Sequence, residues 1–150
     1  MDHAPTRARI LVVDDEAPIR EYEANLLGEF GHEVLTAGNG FEALHLAREK
    51  RPDLVLLDIM MPEMSGVEVC RQLRADPLTR NARILVVSAV GAKKVLEESI
   101  AAGADDFMGK PIDKLELMVR VRSMLRVRDI RDDEQRLGAY AEHKQKLRRR

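Results

Sequence analysis

PDLVLLDIMMPEMSGVEVCRQLR, residues 52–74, carries a short apolar run, Leu54–Leu57, an aspartate directly after it at Asp58, and then a loop leading into a segment of helical length. The same unit recurs on both sides. Ile10–Val13, Glu33–Thr36 and Ile84–Val87 are further short runs rich in β-branched or aliphatic residues, with a weaker one at Ala104–Met108. Between them lie stretches of helical period, such as Ile19–Glu29 with Tyr22, Leu26 and Leu27 on one face, and Phe41–Lys50 with Leu44 and Ala47. Strands alternating with helices imply parallel strands joined by right-handed crossovers, and continuously apolar strands imply burial on both faces. The expectation is an α/β protein with a doubly wound parallel sheet.

Turn-forming residues fall where this parse needs them. Gly28 and Gly31 close the first helix, Asn39-Gly40 opens the second, Arg51-Pro52 ends it, and Gly103 follows the fourth. The fifth helix starts near Asp113, a suitable N-cap, with Leu115, Met118, Val119 and Leu125 as its packing positions. From Arg126 onward the chain stays compatible with helix. The division is therefore a tail over 1–7, a domain over 8–125 and a helical extension over 126–150.

Composition narrows the class. With 45% apolar residues, 34% charged, no tryptophan and only three Phe and two Tyr, the core has to be aliphatic and the surface ionic. Residues 126–150 hold nine Lys/Arg against five Asp/Glu, while 1–125 hold 16 against 21, so the charge is segregated, +4 against −5. A single cysteine, Cys70, excludes an intrachain disulfide, makes a thiolate metal site improbable, and reads as a small hydrophobe on a helix. No signal peptide and no run of membrane-spanning length is found, so the expected compartment is the cytoplasm, with no membrane contact.

In an open parallel sheet, ligands bind beyond the carboxyl ends of the strands. Those ends carry Asp14-Asp15-Glu16, Asp58, Ser88 and Lys110-Pro111. Gathered carboxylates repel unless a cation neutralises them, and Mg²⁺ suits Asp15, Asp58 and a loop carbonyl such as that of Met60, with Asp14 acting through water. A carboxylate can attack a phosphoryl group, and Asp58 is the best-placed nucleophile. Lys110 would pair with one phosphoryl oxygen and the Ser88 hydroxyl would donate to another. Alone, the acidic pair would read as a solvated turn, Ser88 as a strand-end serine and Lys110 as a surface lysine. Jointly spaced, they read as one site. His3, His32, His45 and His143 show no ligand spacing and are taken as surface residues.

ILVVDDEAPIR at 10–20, PDLVLLDIMMPEMSGVEVCRQLR at 52–74, ILVVSAV at 84–90 and GADDFMGKPI at 103–112 together resemble a bacterial two-component response-regulator receiver domain, CheY-like, over about residues 8–125. The resemblance implies a flavodoxin-like (βα)₅ fold with five strands in the order 2-1-3-4-5. It implies that Asp58 is the phosphoacceptor, that Asp14 and Asp15 flank Mg²⁺, and that the Met60 backbone carbonyl is a further ligand. Ser88 and Lys110 would contact phosphate, Phe107 would be the switch aromatic that turns inward, and the Lys110–Pro111 peptide would be cis. Phosphate would come from a histidine kinase or histidine phosphotransfer protein, and the surface of the fourth helix, fifth strand and fifth helix would change. The chain would be no enzyme beyond catalysing its own phosphorylation and dephosphorylation. Apolar Met60 and Val90 beside the acceptor imply slow dephosphorylation.

PIDKLELMVRVRSMLRVRDIRDDEQ at 111–135 is similar to receivers that precede cyclic-dinucleotide output domains or other signalling modules. Residues 126–150 are thus read as a partner-binding helix or as a linker to an output module. Ile130, Leu137, Tyr140, Lys144 and Leu147 form a ragged seam, too short for a firm coiled coil, that would support a homodimer. DNA binding is not expected there, because no helix-turn-helix fits. The rival function is a magnesium-dependent phosphatase on a Rossmann-like scaffold. It would want a DxD spacing after the first strand, which Asp14-Asp15-Glu16 lacks, and no phosphate-loop motif supports a nucleotide-binding module.

Overall fold

The computed structural model describes residues 7–89 and 93–126. Five strands and five helices alternate along it. They are β1 (Arg9–Val13), α1 (Ala17–Glu29), β2 (Glu33–Ala37), α2 (Gly40–Lys50), β3 (Leu54–Asp58), α3 (Gly66–Ala75), β4 (Arg83–Ser88), α4 (Lys93–Ala101), β5 (Asp106–Gly109) and α5 (Lys114–Arg126). All strands pair in parallel, in the order β2-β1-β3-β4-β5. This is the doubly wound flavodoxin-like architecture that the sequence implied.

Burial follows from the runs. Every residue of β3 and β4 is buried, and the aliphatic side chains alternate between two cores, one on each face of the sheet. Ile10, Val12, Leu54, Leu56, Leu85 and Val87 pack with Leu26, Leu27, Leu117, Val121 and Met124. Leu11, Val13, Val55, Leu57, Ile84 and Val86 pack with Ala43, Ala47, Val69, Cys70 and Leu73. Cys70 is buried and burial pushes its thiol up to about 12, so it serves as a small apolar filler.

The register sets the functional edge. Val13 lies beside Leu57, Asp58 beside Val87, and Ser88 beside Gly109, so the ends of β1, β3, β4 and β5 come together. Helix starts are fixed locally. The Asn39 side chain accepts the Glu42 N–H at 2.9 Å, Ser65 Oγ accepts the Glu68 N–H at 3.3 Å, and Asp113 accepts the Glu116 N–H at 2.8 Å. Arg51 ends α2 in the left-handed region with φ 49°. Gly31 and Gly103 take φ 95° and 115°, values that glycine adopts without a Cβ penalty.

Two readings of helix faces and one of a histidine need correction. Tyr22 is 49% exposed, and Glu23 takes the inward position with Leu26 and Leu27. On α5, Leu115 is 62% exposed and Val119 is also exposed, whereas Leu117, Val121 and Met124 are buried beside Leu125. The helix therefore presents its 117-121-124 stripe to the sheet, a rotation that an apolar count along a helix with several aliphatic sides cannot fix. His32 is half-buried rather than superficial, and its Nδ1 accepts the Ala8 N–H at 3.1 Å.

A guanidinium ties the opposite edge. Arg74, at the end of α3, donates to the carbonyls of Gly103, Arg80 and Ala82 at 3.0, 2.8 and 2.6 Å and pairs with Asp105 at 2.9 Å. Residues 1–6, Val90 and the extension from 127 on, with its proposed seam, lie outside the described residues. Among the described residues no helix is long and apolar enough to cross a membrane.

Candidate functional site

Asp14 follows β1 directly and is fully buried. Its Oδ1 accepts the Glu16 N–H at 2.9 Å, its backbone N–H donates to the Ala37 carbonyl at 3.2 Å, and its own carbonyl accepts from the Arg20 guanidinium at 2.7 Å. Asp15, the next residue, is exposed. Asp58 ends β3, buried, with Oδ1 accepting the Met60 N–H at 3.2 Å. One carboxylate oxygen from each of Asp14, Asp15 and Asp58 lies within 4.8 Å of the others. Three hard oxygen donors this close suit a divalent cation of the Mg²⁺ class, and burial of two of them makes their mutual repulsion expensive without one.

Lys110 closes the cluster. Its backbone N–H donates to the Ser88 carbonyl at 2.9 Å, and its ammonium reaches Asp14 Oδ2 at 3.3 Å and Asp58 Oδ2 at 3.4 Å. The following Lys110–Pro111 peptide is cis, as the resemblance implied. Burial and the neighbouring Asp14 charge push the Asp58 carboxyl up to about 6, with Lys110 and the Met60 N–H pulling the other way. Burial by itself would depress Lys110, but the charges of Asp58 and Asp14 outweigh it and hold the ammonium above its ordinary value. The site thus combines a nucleophile-grade carboxylate, an ammonium and a pair of further carboxylates.

The other expected residues fall around this core in differing ways. Ser88 ends β4 beside Gly109, is buried, and its hydroxyl donates to the Ala89 carbonyl at 3.2 Å. Phe107 lies on β5 with 38% of its surface exposed, turned away from the interior. Met60 is 59% exposed in the loop directly after Asp58, while Met61 and Met64 of the same loop are buried.

Two residues escaped the sequence reading. Gly66 begins α3 against the end of β3: a Cβ there would sit 2.6 Å from Ile59 Cα and 2.7 Å from the Asp58 carbonyl oxygen. Only glycine allows α3 to start this close, and the Gly66 N–H to Ile59 carbonyl bond at 3.0 Å fixes the loop. The Ser65-Gly66 pair was a visible signal. Glu23 is the second. It is buried on α1, and burial, Asp14 and Asp58 push it up to about 8 against the pull of Lys110. Its spacing of three and four from Leu26 and Leu27 marked the position as inward, but a glutamate there contradicts the usual composition of such a face.

Comparison with known proteins bears on family and fold. The family model described as response regulator receiver domain matches residues 10–122. The response regulator PleD of Caulobacter vibrioides is 45% identical over 127 residues, covering 84% of this chain and 28% of PleD. The phosphate regulon transcriptional regulatory protein PhoB of Pseudomonas aeruginosa is 42% identical over 117 residues, covering 78% of this chain and 51% of PhoB. The chain thus spans about half or less of the length of these relatives. Among solved structures, the Vibrio cholerae chemotaxis protein CheY4 superposes with TM-score 0.74 at 31% identity, covering 78% of this chain and 98% of that one. The receiver domain of NtrX from Brucella abortus gives 0.73 at 30%, with the same coverages.

Proposed function

The chain belongs to the response regulator receiver domain family, and on that premise we propose that Asp58 is its phosphoacceptor, taking a phosphoryl group from a histidine kinase or histidine phosphotransfer protein. The observation that carries the assignment is the Lys110 ammonium bridging Asp14 and Asp58 beside three convergent carboxylates. Asp58 projects from a strand end, where an incoming phosphohistidine can reach it. An Asp58 oxygen attacks phosphorus, the P–N bond breaks, and the imidazole leaves with the bond electrons, giving an acyl phosphate.

Asp14, Asp15 and Asp58, with the Met60 carbonyl, would hold Mg²⁺, which when bound offsets charge on the transferring oxygens. Lys110 holds one phosphoryl oxygen after giving up its contact with Asp58. Ser88 leaves the Ala89 carbonyl and donates to a second oxygen. A phosphoryl group adds roughly −1.5 to −2 charge at pH 7 and favours the arrangement in which Ser88 has moved and Phe107 has turned inward. The 38% exposure of Phe107 supports reading it as able to turn inward. The change then spreads over α4, β5 and α5, where exposed Ile100, Leu115 and Val119 offer an apolar surface to a partner or output module.

Receiver domains are phosphoacceptors, and this chain would catalyse only its own phosphorylation and dephosphorylation. With Met60 exposed beside Asp58, no polar side chain at that position orients attacking water, so dephosphorylation is slow. DNA contact by residues 126–150 is not part of this reading, although PhoB is named a transcriptional regulatory protein; a homodimer through that segment and cytoplasmic placement are. Intact mass after incubation with Mg²⁺ and acetyl phosphate tests the assignment. A metal-dependent phosphoryl adduct, absent in Asp58→Ala and persisting for minutes, is expected; no adduct on folded wild type would overturn it, and loss within seconds would refute slow dephosphorylation.

A further inference from the structure

Met60 is the one methionine among the described residues that solvent reaches freely. It is 59% exposed, whereas Met61, Met64, Met108 and Met124 are buried and Met118 on α5 is half-buried. Its loop neighbours Met61 and Met64 pack into the core on one face of the sheet, and Met60 belongs to neither core. A thioether left in water adds little to stability, yet it keeps the chemistry of its sulfur. Contact ties this residue to the site. Its backbone N–H donates to Asp58 Oδ1 at 3.2 Å, so its side chain departs two residues after the acceptor carboxylate. It also lines a cleft, open to solvent, with Ser65 and Val67 at the start of α3 and Val95 of α4.

Resting on the phosphoacceptor reading above, we propose that Met60 is a reversible oxidation site through which peroxide shortens the life of the phosphorylated form. A sulfur lone pair attacks one oxygen of hydrogen peroxide, an S–O bond forms as the O–O bond breaks, and the hydroxide released takes the proton left on the new oxygen and departs as water. The thioether is oxidised to a sulfoxide and the peroxide is reduced. An apolar side chain that cannot hold water beside Asp58 thereby becomes a strong hydrogen-bond acceptor. The sulfoxide oxygen accepts from a water and orients it toward phosphorus. That water attacks, the bond from phosphorus to the Asp58 oxygen breaks, and phosphate leaves carrying both water hydrogens, which restores the carboxylate.

The test uses the full chain as wild type, Met60→Leu and Met60→Gln, with dilute hydrogen peroxide as the oxidant. Once the peroxide is removed, peptide mass mapping locates the added oxygen, which is expected on Met60 ahead of Met61, Met64 and Met118. Each protein is then charged with acetyl phosphate and Mg²⁺, the donor is removed, and loss of the adduct is followed by intact mass, treated against untreated. Oxidised wild type is expected to lose its phosphoryl group roughly tenfold faster than untreated wild type, a modest fraction of what a positioned proton acceptor contributes. Methionine sulfoxide reductases with dithiothreitol should restore the slower rate. Treatment should not accelerate Met60→Leu relative to its own untreated rate, and untreated Met60→Gln, with an amide oxygen in place of the sulfoxide, should lose phosphate faster than untreated Met60→Leu. Peroxide that spares Met60, oxidised wild type that decays no faster than untreated, or an equal acceleration in Met60→Leu would overturn the proposal while the adduct still forms. Untreated wild type that forms no adduct would instead overturn the phosphoacceptor reading, and this inference with it.

Discussion

Replacing Asp58 by asparagine removes a charge that the metal-free fold holds at a loss. The Asp58 carboxyl is pushed from 3.8 to about 6, first by burial and then by Asp14. A carboxyl raised on folding contributes stability that is fully present below its unfolded value and is lost as pH rises through the folded one. Between about pH 4 and 6 the unfolded chain gives up its proton first, so the folded form loses ground throughout that window. At about 1.4 kcal/mol per pKa unit, the ionised carboxylate costs about 3 kcal/mol at neutral pH. Asparagine keeps an oxygen for the Met60 N–H but forfeits the charge half of the Lys110 pairing at 3.4 Å, which returns part of the gain. The net expectation is stabilisation by about 1–3 kcal/mol at pH 7 in chelator, or roughly 3–10 °C in Tm, shrinking toward zero near pH 4. Denaturant and thermal melts across that range measure it. Asparagine that lowers stability at pH 7, or a difference that does not shrink on acidification, would refute the electrostatic account of the site.

Mg²⁺ acts on the same repulsion from the other side. At about 100 times its dissociation constant it is expected to stabilise wild type by about 2.7 kcal/mol, and a thermal melt of Asp14→Asn should show most of that gain gone. Gly66→Ala drives a Cβ into backbone at 2.6 and 2.7 Å, so a loss of about 1–3 kcal/mol by denaturant titration should accompany a reduced phosphoryl adduct by mass. Arg74→Met removes four polar contacts at the far edge of the sheet and is expected to cost about 2–4 kcal/mol, while Mg²⁺ affinity by calorimetry stays close to wild type.

The strands were legible because β1, β3 and β4 carry aliphatic runs with Asp14, Asp58 and Ser88 at or directly after their ends, and parallel pairing then brings those endings together. Strand edges differed by one or two residues: β4 starts at Arg83, and β5 is limited to Asp106–Gly109. Helix rotation was less legible. Leu115 and Leu117 are both leucines two positions apart, and only packing against the sheet decides which one is buried. At the site, Asp14, Asp15, Asp58 and Lys110 were readable because their chemistry is written in charge at strand ends. Glu23 was not, because a carboxylate within a helix ordinarily signals solvent, and only the packing of α1 on the sheet shows it buried. Gly66 was missed for a related reason: its function is an absent side chain, visible only once Ile59 and Asp58 stand behind it.

Cys70 gives the molecule a practical property. It is the sole native thiol, it is buried, and with its ionisation pushed up to about 12 it stays unreactive toward alkylating reagents near neutral pH. A cysteine engineered at exposed Met60 or Leu115 would therefore be the one site that takes a maleimide dye or nitroxide. Paired labels at these two positions would turn the receiver into its own molecular ruler, reporting the spacing of the loop after β3 and α5 in real time without first stripping the native sequence of its sulfhydryl.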